Sequence, residues 1–243
     1  MKTELVVALI AGAFSMISVI GTIWSSIWNA NRSDKNARAI EQLNVASRRE
    51  QEMSKFREPL ARSAYDLQSR LYNILRRDLI GVHLNRGSDR AKSYVIENTT
   101  FLIGQYLCWA ELIRRDIQFI DLGEHSKTRE LSDVQDRICS LWGADRLPSV
   151  FRIFAGEQRA IGEALIQAGA QGPECIGYGA FLNKLGSGTN PLIDSLRMDV
   201  TSLSDGLAKS TERLTELQHA LIDLLMVLDH EHRRFRKDRI SKV

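Results

Sequence analysis

A block of polar residues between two glycines, Gly156 and Gly162, is the first place where this sequence could do chemistry. Glycines beside acidic, amide and basic side chains allow a backbone to approach closely around a polar pocket. They equally allow close packing of helices, with an ion pair between Arg159 and either Glu157 or Glu163. The spacing favours packing, and the alternative is a candidate polar pocket formed by Glu157, Gln158, Arg159 and Glu163.

Two patterns that contain histidine have the spacing of metal ligands. Glu216 and His219 stand three residues apart in a predicted helix, which is one half of a carboxylate-bridged metal site. Such a site needs a second pair and further glutamates on neighbouring helices. His230 and His232 lie in a charged tail without a neighbouring array of cysteines or carboxylates. We therefore expect ordinary polar residues at these positions and no bound metal.

Motifs of nucleotide-binding and hydrolytic enzymes are missing from the sequence. It contains no phosphate loop and no nucleophile elbow, and the pair Gly177 and Gly179 lacks the preceding strand and third glycine of a dinucleotide fingerprint. We expect no catalytic residues and no cofactor, so the sequence favours a protein that is not an enzyme. A helical domain can still assemble an active site from residues scattered along the chain.

The three cysteines, Cys108, Cys139 and Cys175, are far apart in sequence and form no CxxC pair. Disulfide-stabilised domains usually carry an even number of cysteines at recurring spacings. The pattern in this chain is instead typical of a reducing compartment, where structural disulfides are rare.

The chain begins with a long uncharged segment, residues 5–28. A helix of this length extends roughly 36 Å at about 1.5 Å per residue, which is enough to cross a hydrocarbon core of about 30 Å. Trp24 and Trp28 would then lie in an interfacial aromatic belt. A cleaved signal peptide is the competing interpretation, but its apolar region would be too long and Trp28 would stand where a small residue is needed. The sequence predicts a retained transmembrane anchor over residues 1–30.

Basic residues after this segment predict its orientation. Five arginine and lysine residues follow it between positions 32 and 49, whereas Lys2 and the terminal amine are the only positive groups before it. Basic flanks of a membrane helix stay in the cytoplasm. We therefore expect a single-pass membrane protein with its N-terminus outside and its C-terminus in the cytoplasm.

Small and hydroxyl-bearing residues recur in the uncharged segment at alternating steps of three and four. Membrane helices associate by close packing and interhelical hydrogen bonds, and small side chains permit both. Three interpretations stay open: self-association through this stripe, an accidental pattern in which Ser and Thr bond to their own helix, and a pore lined by the hydroxyl groups. The stripe consists of Ala8, Ala11, Ser15, Ser18, Thr22, Ser25 and Asn29.

The next part of the chain has the composition of a polar helix. Residues 31–56 contain no Pro or Gly and few large apolar residues, which predicts a helical stalk or loose coiled coil after the anchor. Pro59 then predicts the first turn of a new helix, because proline is well placed there.

A helical bundle is predicted for residues 57–232. Apolar residues recur at helical spacing in three rows, at positions 60–74, 102–120 and 214–228. A further amphipathic helix is expected over residues 196–207, separate from the helix that follows it. No segment alternates as a strand does, so the sequence predicts an all-α fold without a sheet.

The chain ends in a basic tail, residues 233–243. Nucleic-acid binding is weakly supported, because the whole chain carries a net charge of only +3 and shows no basic face with interleaved aromatic residues. Contact with anionic lipid is a second interpretation, since the anchor would hold the tail near the membrane. A solvated tail is favoured.

Several phrases after the anchor resemble a family of bacterial membrane-anchored proteins of unknown function. The resemblance covers most of the predicted cytoplasmic part and implies a bacterial source, hence an inner membrane. It implies no activity, cofactor or catalytic residue. The phrases are Phe56–Leu60, Asp66–Ile74, Glu97–Thr99, Phe151–Phe154 and Gly156–Glu163.

Two classes of function are compatible with these features. The first is a noncatalytic, membrane-anchored scaffold or signalling effector whose cytoplasmic helices bind another protein and which forms a homo-oligomer. The second is a homo-oligomeric pore, in which the hydroxyl-bearing stripe lines a path that the cytoplasmic domain opens. The pore is less favoured, because no ring of charged residues accompanies the stripe.

Overall fold

The computed structural model of the chain is mostly helical, which confirms the predicted all-α class. It describes residues 2–116, 125–170, 172–186, 188, 190–229, 234–236, 238 and 240–243. The elements are α1 (Lys2–Arg76), a π-helix (Ile80–Asn85), α2 (Asp89–Asp116), α3 (His125–Gly143), α4 (Ala155–Ala164), β1 (Ile166–Gly169), β2 (Gly172–Cys175), α5 (Tyr178–Gly186) and α6 (Pro191–Leu228).

The chain divides into two compact units, and the first of them is Met1–Glu52. Its described residues are helical and its described side chains are all exposed. More than half of the side chains in the predicted span, among them Ala8, Ala11 and Ser15, lie outside the described residues. Within the part of the chain that the structure describes, no helix combines the length and the apolar character needed to cross a membrane. The transmembrane anchor therefore stays a prediction.

The second unit is Met53–Val243, and its core comes from the predicted apolar rows. Each fully buried leucine or isoleucine contributes about 1.5–3 kcal/mol relative to an exposed one, so these rows contribute substantially to the packing energy. Ile117 and Ile120 of the second row lie outside the described residues. The buried members are Leu60, Ala64, Leu67, Leu71, Ile74, Tyr106, Ile113, Leu214, Leu217, Leu221 and Leu224.

Two predicted helix boundaries are wrong. Pro59 lies inside α1 and does not begin a new helix. A proline inside a helix costs about 3 kcal/mol, and the burial of Leu60 and Ala61 directly after it offsets that cost. Gly206 likewise lies inside α6, which runs unbroken from Pro191 to Leu228 where we expected two helices. One glycine costs only about 1 kcal/mol in a helix.

A small hairpin corrects the prediction that the chain has no sheet. β1 pairs with β2 in antiparallel register, from Ile166 opposite Cys175 to Gly169 opposite Gly172. Gly172 has φ of +121°, a conformation that only glycine adopts without strain. Strands of four residues are too short to show an alternating pattern in the sequence.

Described residues of the basic tail contact the helices of unit 2, so this part of the tail is not simply solvated. Phe235 is buried and stacks on Tyr65, with ring centroids 4.7 Å apart. Further along, Gln218 Nε2 donates to the Ser241 carbonyl at 2.9 Å, and the Val243 amide donates to Gln218 Oε1 at 3.3 Å. The sequence did not predict this docking, because the apolar content of the tail is low.

Candidate functional site

The first residue of the candidate polar pocket, Glu157, fixes the beginning of α4. Its Oε2 accepts a hydrogen bond of 2.9 Å from the backbone amide of Phe154, the N-cap residue. Amides in the first turn of a helix have no partner within the helix, and a glutamate at the third position can accept from them. Phe154 has no side-chain acceptor, so Glu157 makes the glutamate half of a capping box. Its role here is structural.

Gln158 is the buried member of the set, and it links α4 to α3. Its Nε2 donates to the Cys139 carbonyl at 3.0 Å and to the Ile153 carbonyl at 2.8 Å. Cys139 lies in the last turns of α3. A buried amide with both protons bonded to backbone carbonyls holds two segments together, which is the packing role that we favoured from the sequence.

Arg159 and Glu163 are exposed and do not form the ion pair considered from the sequence. Glu163 Oε1 lies 3.9 Å from Nη2 of Arg115 on α2. Gly162, between them, faces α2: a Cβ at this position would lie 2.6 Å from the Leu107 carbonyl oxygen. The glycine therefore allows α2 and α4 to approach each other, whereas Gly156 has open space around it.

A cleft of about 300 Å³ lies between α2, α3 and α4. Volumes of this size are at the lower end of those that hold small ligands. Gln158 and Arg159 line it, so the structure brings two of the four predicted residues to one cavity and leaves Glu157 and Glu163 outside its walls. Its other polar lining comes from Glu111, Arg114, Ser132, Gln135, Asp136 and Cys139.

Glu111 is the buried charge of this cleft, and the sequence analysis missed it. Its carboxylate accepts from Arg114 Nε at 2.7 Å and from Arg114 Nη2 at 2.6 Å, while Arg115 Nε lies 3.7 Å away. A buried carboxylate is tolerated when it is paired and bonded in this way. The available signal was a glutamate three and four residues before two arginines on an apolar helix.

Two titratable groups of the cleft, Tyr106 and Cys139, have raised pKa values. Burial raises the pKa of Tyr106 above its usual range, and the nearby Cys139 adds to that increase. Burial also raises the pKa of the Cys139 thiol; Arg159 opposes the change and Asp136 adds to it. A nucleophilic cysteine needs a lowered pKa. These two groups are therefore protonated near neutral pH, and the cleft can bind or pack but has no prepared nucleophile or base in them.

The two residues of the metal-like pattern are occupied by other partners. Glu216 accepts from Arg146 Nη1 at 2.9 Å and Nη2 at 2.5 Å, and this guanidinium lowers the pKa of the carboxyl group. His219 Nε2 lies 3.0 Å from the Val243 carbonyl oxygen. Within the described ranges, no group of three or more His, Cys, Asp or Glu residues could hold a metal ion. His230 and His232 lie outside those ranges.

Arg213 is a second buried charge that sequence reasoning missed. Arg213 is fully buried on α6. Burial lowers the pKa of its guanidinium group, and the positive charges of Arg152 and Arg146 lower it further. Its two terminal nitrogens donate to the final carbonyls of α3 and to the loop after it. The acceptors are the carbonyl oxygens of Leu141, Trp142, Ala144, Leu147 and Pro148, at 2.5 to 3.4 Å.

This arginine acts as a C-terminal cap supplied by a neighbouring helix. The C-terminal carbonyls of a helix carry a partial negative charge and lack helical partners, so a guanidinium there satisfies both needs. The contact joins α3 to α6 at one point deep in unit 2, and it has a structural function.

Comparison of the chain with known proteins found no match: no family model, no curated protein and no solved structure matches it.

Proposed function

We propose that the protein is a membrane-anchored, noncatalytic helical scaffold or signalling module at the cytoplasmic face of a bacterial inner membrane. One observation carries the proposal: large apolar side chains stand exposed on the uncharged segment of α1. Met16, Val19, Trp24 and Trp28 are 56–73% exposed. Large apolar side chains exposed close together along one helix indicate contact with lipid or with another protein.

The helical backbone of the segment supports the lipid alternative. Residues 5–28 are helical throughout. In a bilayer core each backbone amide and carbonyl must find its partner within the protein, and a helix achieves this within one segment. The basic residues that follow the segment place unit 2 in the cytoplasm under this proposal.

The contacts of unit 2 support a scaffold more than an enzyme. The polar residues that the sequence singled out serve as a helix cap, Glu157, and as a link between helices, Gln158. The buried charges Glu111 and Arg213 are bonded within the protein. We propose that a protein partner docks on the cytoplasmic unit and that the chain forms a homo-oligomer.

The pore alternative receives less support. Thr22 Oγ1 donates to the Ser18 carbonyl of its own helix at 2.8 Å. A hydroxyl proton that is used in this way is not available to solvate an ion or water in a channel. The small side chains of the stripe still permit a close helix contact.

The anchor is tested by placing two charged residues inside the uncharged segment. A chain with Ile10→Lys and Ile20→Lys should lose its membrane attachment, because each lysine costs about 2.5–3.5 kcal/mol at the centre of a membrane helix. The unaltered chain should stay in the membrane pellet after an alkaline carbonate wash, and most of the lysine variant should move to the supernatant. The matched control is Ile10→Leu with Ile20→Leu, which should stay in the pellet.

Orientation is read in the same cells from a reporter fused after Val243. Activity in the cytoplasm is expected. Release of the unaltered chain by carbonate, or reporter activity outside the cytoplasm, would contradict the proposal.

A further inference from the structure

Two cysteines that are 67 positions apart in the sequence, Cys108 and Cys175, belong to one apolar cluster of unit 2. Cys108 belongs to α2, one turn after Gly104, so both residues lie on the same face of that helix. A Cβ at Gly104 would meet Leu165 Cδ1 at 2.5 Å. The residue directly before β1 therefore packs onto this face of α2.

The second strand reaches the same face. The Ile176 amide donates to the Leu165 carbonyl at 2.9 Å, and Cys175 immediately precedes it. Cys108, Leu165 and Ile176 are buried in one apolar cluster, against which Cys175 packs. The two cysteines are therefore members of the same cluster of side chains, between α2 and β2.

The two thiols differ in their access to solvent. Cys108 is fully buried, whereas Cys175 is partly exposed at the end of β2. The hydrogen bond with Cys175 raises the pKa of Cys108, and burial raises it further. Because a thiolate is the reactive form of cysteine, Cys175 is the sulfur that a dissolved oxidant reaches first.

We propose that Cys108 and Cys175 are a redox-sensitive pair that peroxide converts into a disulfide between α2 and β2. The Cys175 thiolate attacks one peroxide oxygen, an S–O bond forms, and the O–O bond breaks as hydroxide leaves with the proton of the thiol to form water. The Cys108 sulfur then attacks the sulfenic acid at Cys175. An S–S bond forms, the S–O bond breaks, and the hydroxyl leaves with the Cys108 proton as a second water.

The reaction balances as two thiols and one hydrogen peroxide giving one disulfide and two waters. Two molecules of reduced glutathione, or one of dithiothreitol, return both thiols by thiol–disulfide exchange and are themselves oxidised to a disulfide. Such a pair suits a reducing compartment, where disulfides are usually transient and redox-sensing. The pair belongs to the cluster of the hairpin and α5, so the bond would fasten these elements to α2. This inference does not depend on the membrane anchor or on the scaffold function.

The test uses the full chain with Cys139→Ser, which leaves only the proposed pair. The protein is treated with hydrogen peroxide, denatured and labelled with a maleimide, and its peptides are mapped without reduction. We expect labelling to fall at least tenfold, the intact mass to decrease by two hydrogen atoms, and one linked peptide to contain Cys108 and Cys175. Dithiothreitol should restore the labelling.

Single substitutions make the test specific. In the Cys139→Ser background, Cys175→Ser should abolish the mass decrease. The remaining thiol, Cys108, should then be oxidised at least tenfold less than Cys175 is in the protein that keeps both cysteines. The unaltered chain, which keeps the exposed Cys139, should form the same intramolecular link. Two outcomes would overturn the proposal. In the first, Cys175 is oxidised to sulfinic acid without a link to Cys108. In the second, Cys108 and Cys175 both stay free at a peroxide dose that oxidises Cys139.

Discussion

Single buried charges hold the helices of unit 2 together at defined points. Arg213 supplies hydrogen bonds to carbonyl groups that α3 leaves unpaired at its end, and it does so without a carboxylate partner. A buried cation is costly unless hydrogen bonds compensate it. Here the partial negative charge of a helix C-terminus replaces the usual acidic residue.

Replacement of this arginine tests its role as a cap. Arg213→Met keeps the length and apolar stem of the side chain but removes the donor to the Leu141 and Pro148 carbonyls, whereas the Trp142 carbonyl keeps its hydrogen bond from the Ile153 amide. We expect the free energy of unfolding to fall by about 2–4 kcal/mol, since each buried unsatisfied group costs about 1–3 kcal/mol. Thermal unfolding followed by circular dichroism measures the change. The control, Lys209→Met, alters an exposed residue on the same helix, and equal midpoints for both variants would contradict the role.

The residue scale is where the sequence was least informative. A charge inside an apolar row, such as Glu111 or Arg213, can be located from the sequence, but its partner depends on which helix end lies opposite. The same holds for Cys108 and Cys175, which only the packing of the hairpin on α2 brings together. Glu157 is the opposite case: its partner, Phe154, is three residues away, so local spacing can predict the contact.

At the scale of elements, the contact between α2 and α4 depends on glycine. Gly104 on α2 and Gly162 on α4 each lie where a Cβ would come within 2.6 Å of an atom of the opposite segment. Close-packed interiors do not absorb an extra methyl group without displacement. The two glycines, and the Gln158 link to α3, define how α4 sits against its neighbours.

Two glycines in α4 allow the contribution of packing to stability to be measured separately from the contribution of helix propensity. Gly162→Ala should lower the free energy of unfolding by about 1–3 kcal/mol, because the new methyl group meets the Leu107 carbonyl in a filled space. Gly156→Ala has open space around it and should leave stability equal or raise it by up to about 1 kcal/mol. Both are measured by thermal unfolding. A gain in stability for Gly162→Ala would show that this contact is not tight.

Elements with a long apolar period could be predicted from the sequence, and elements set by tertiary contacts could not. The apolar rows on α1, α2 and α6 follow from spacing alone. Pro59 and Gly206 are local signals for a break, but the apolar face continues past each of them and keeps the helix intact. The hairpin has too few residues for a periodic signal and is stabilised by its contact with α2.

At the scale of the whole molecule, the two units have opposite distributions of apolar side chains. Unit 2 buries its apolar rows in continuous clusters. The described side chains of unit 1 are all exposed, including Met16, Val19 and two tryptophans. Water is a poor environment for exposed apolar side chains, so the proposed anchor and the proposed oligomer both require lipid or protein around the uncharged segment. This requirement links the proposed anchor to the proposed oligomer.

Self-association of the uncharged segment is the prediction that follows from this requirement. Close approach of two membrane helices needs small side chains at the contact, and the stripe from Ala8 to Asn29 supplies them at a spacing that suits a left-handed pair. Ser15→Leu with Ser18→Leu should therefore reduce dimerisation severalfold in a transmembrane-association reporter. The added leucines make the segment more apolar, so a loss of signal cannot be attributed to failed insertion. The matched control, Ile17→Leu with Ile20→Leu, lies off the stripe and should associate like the parent. Equal signals from the stripe variant and the parent would assign any oligomer to residues 31–56 or to unit 2.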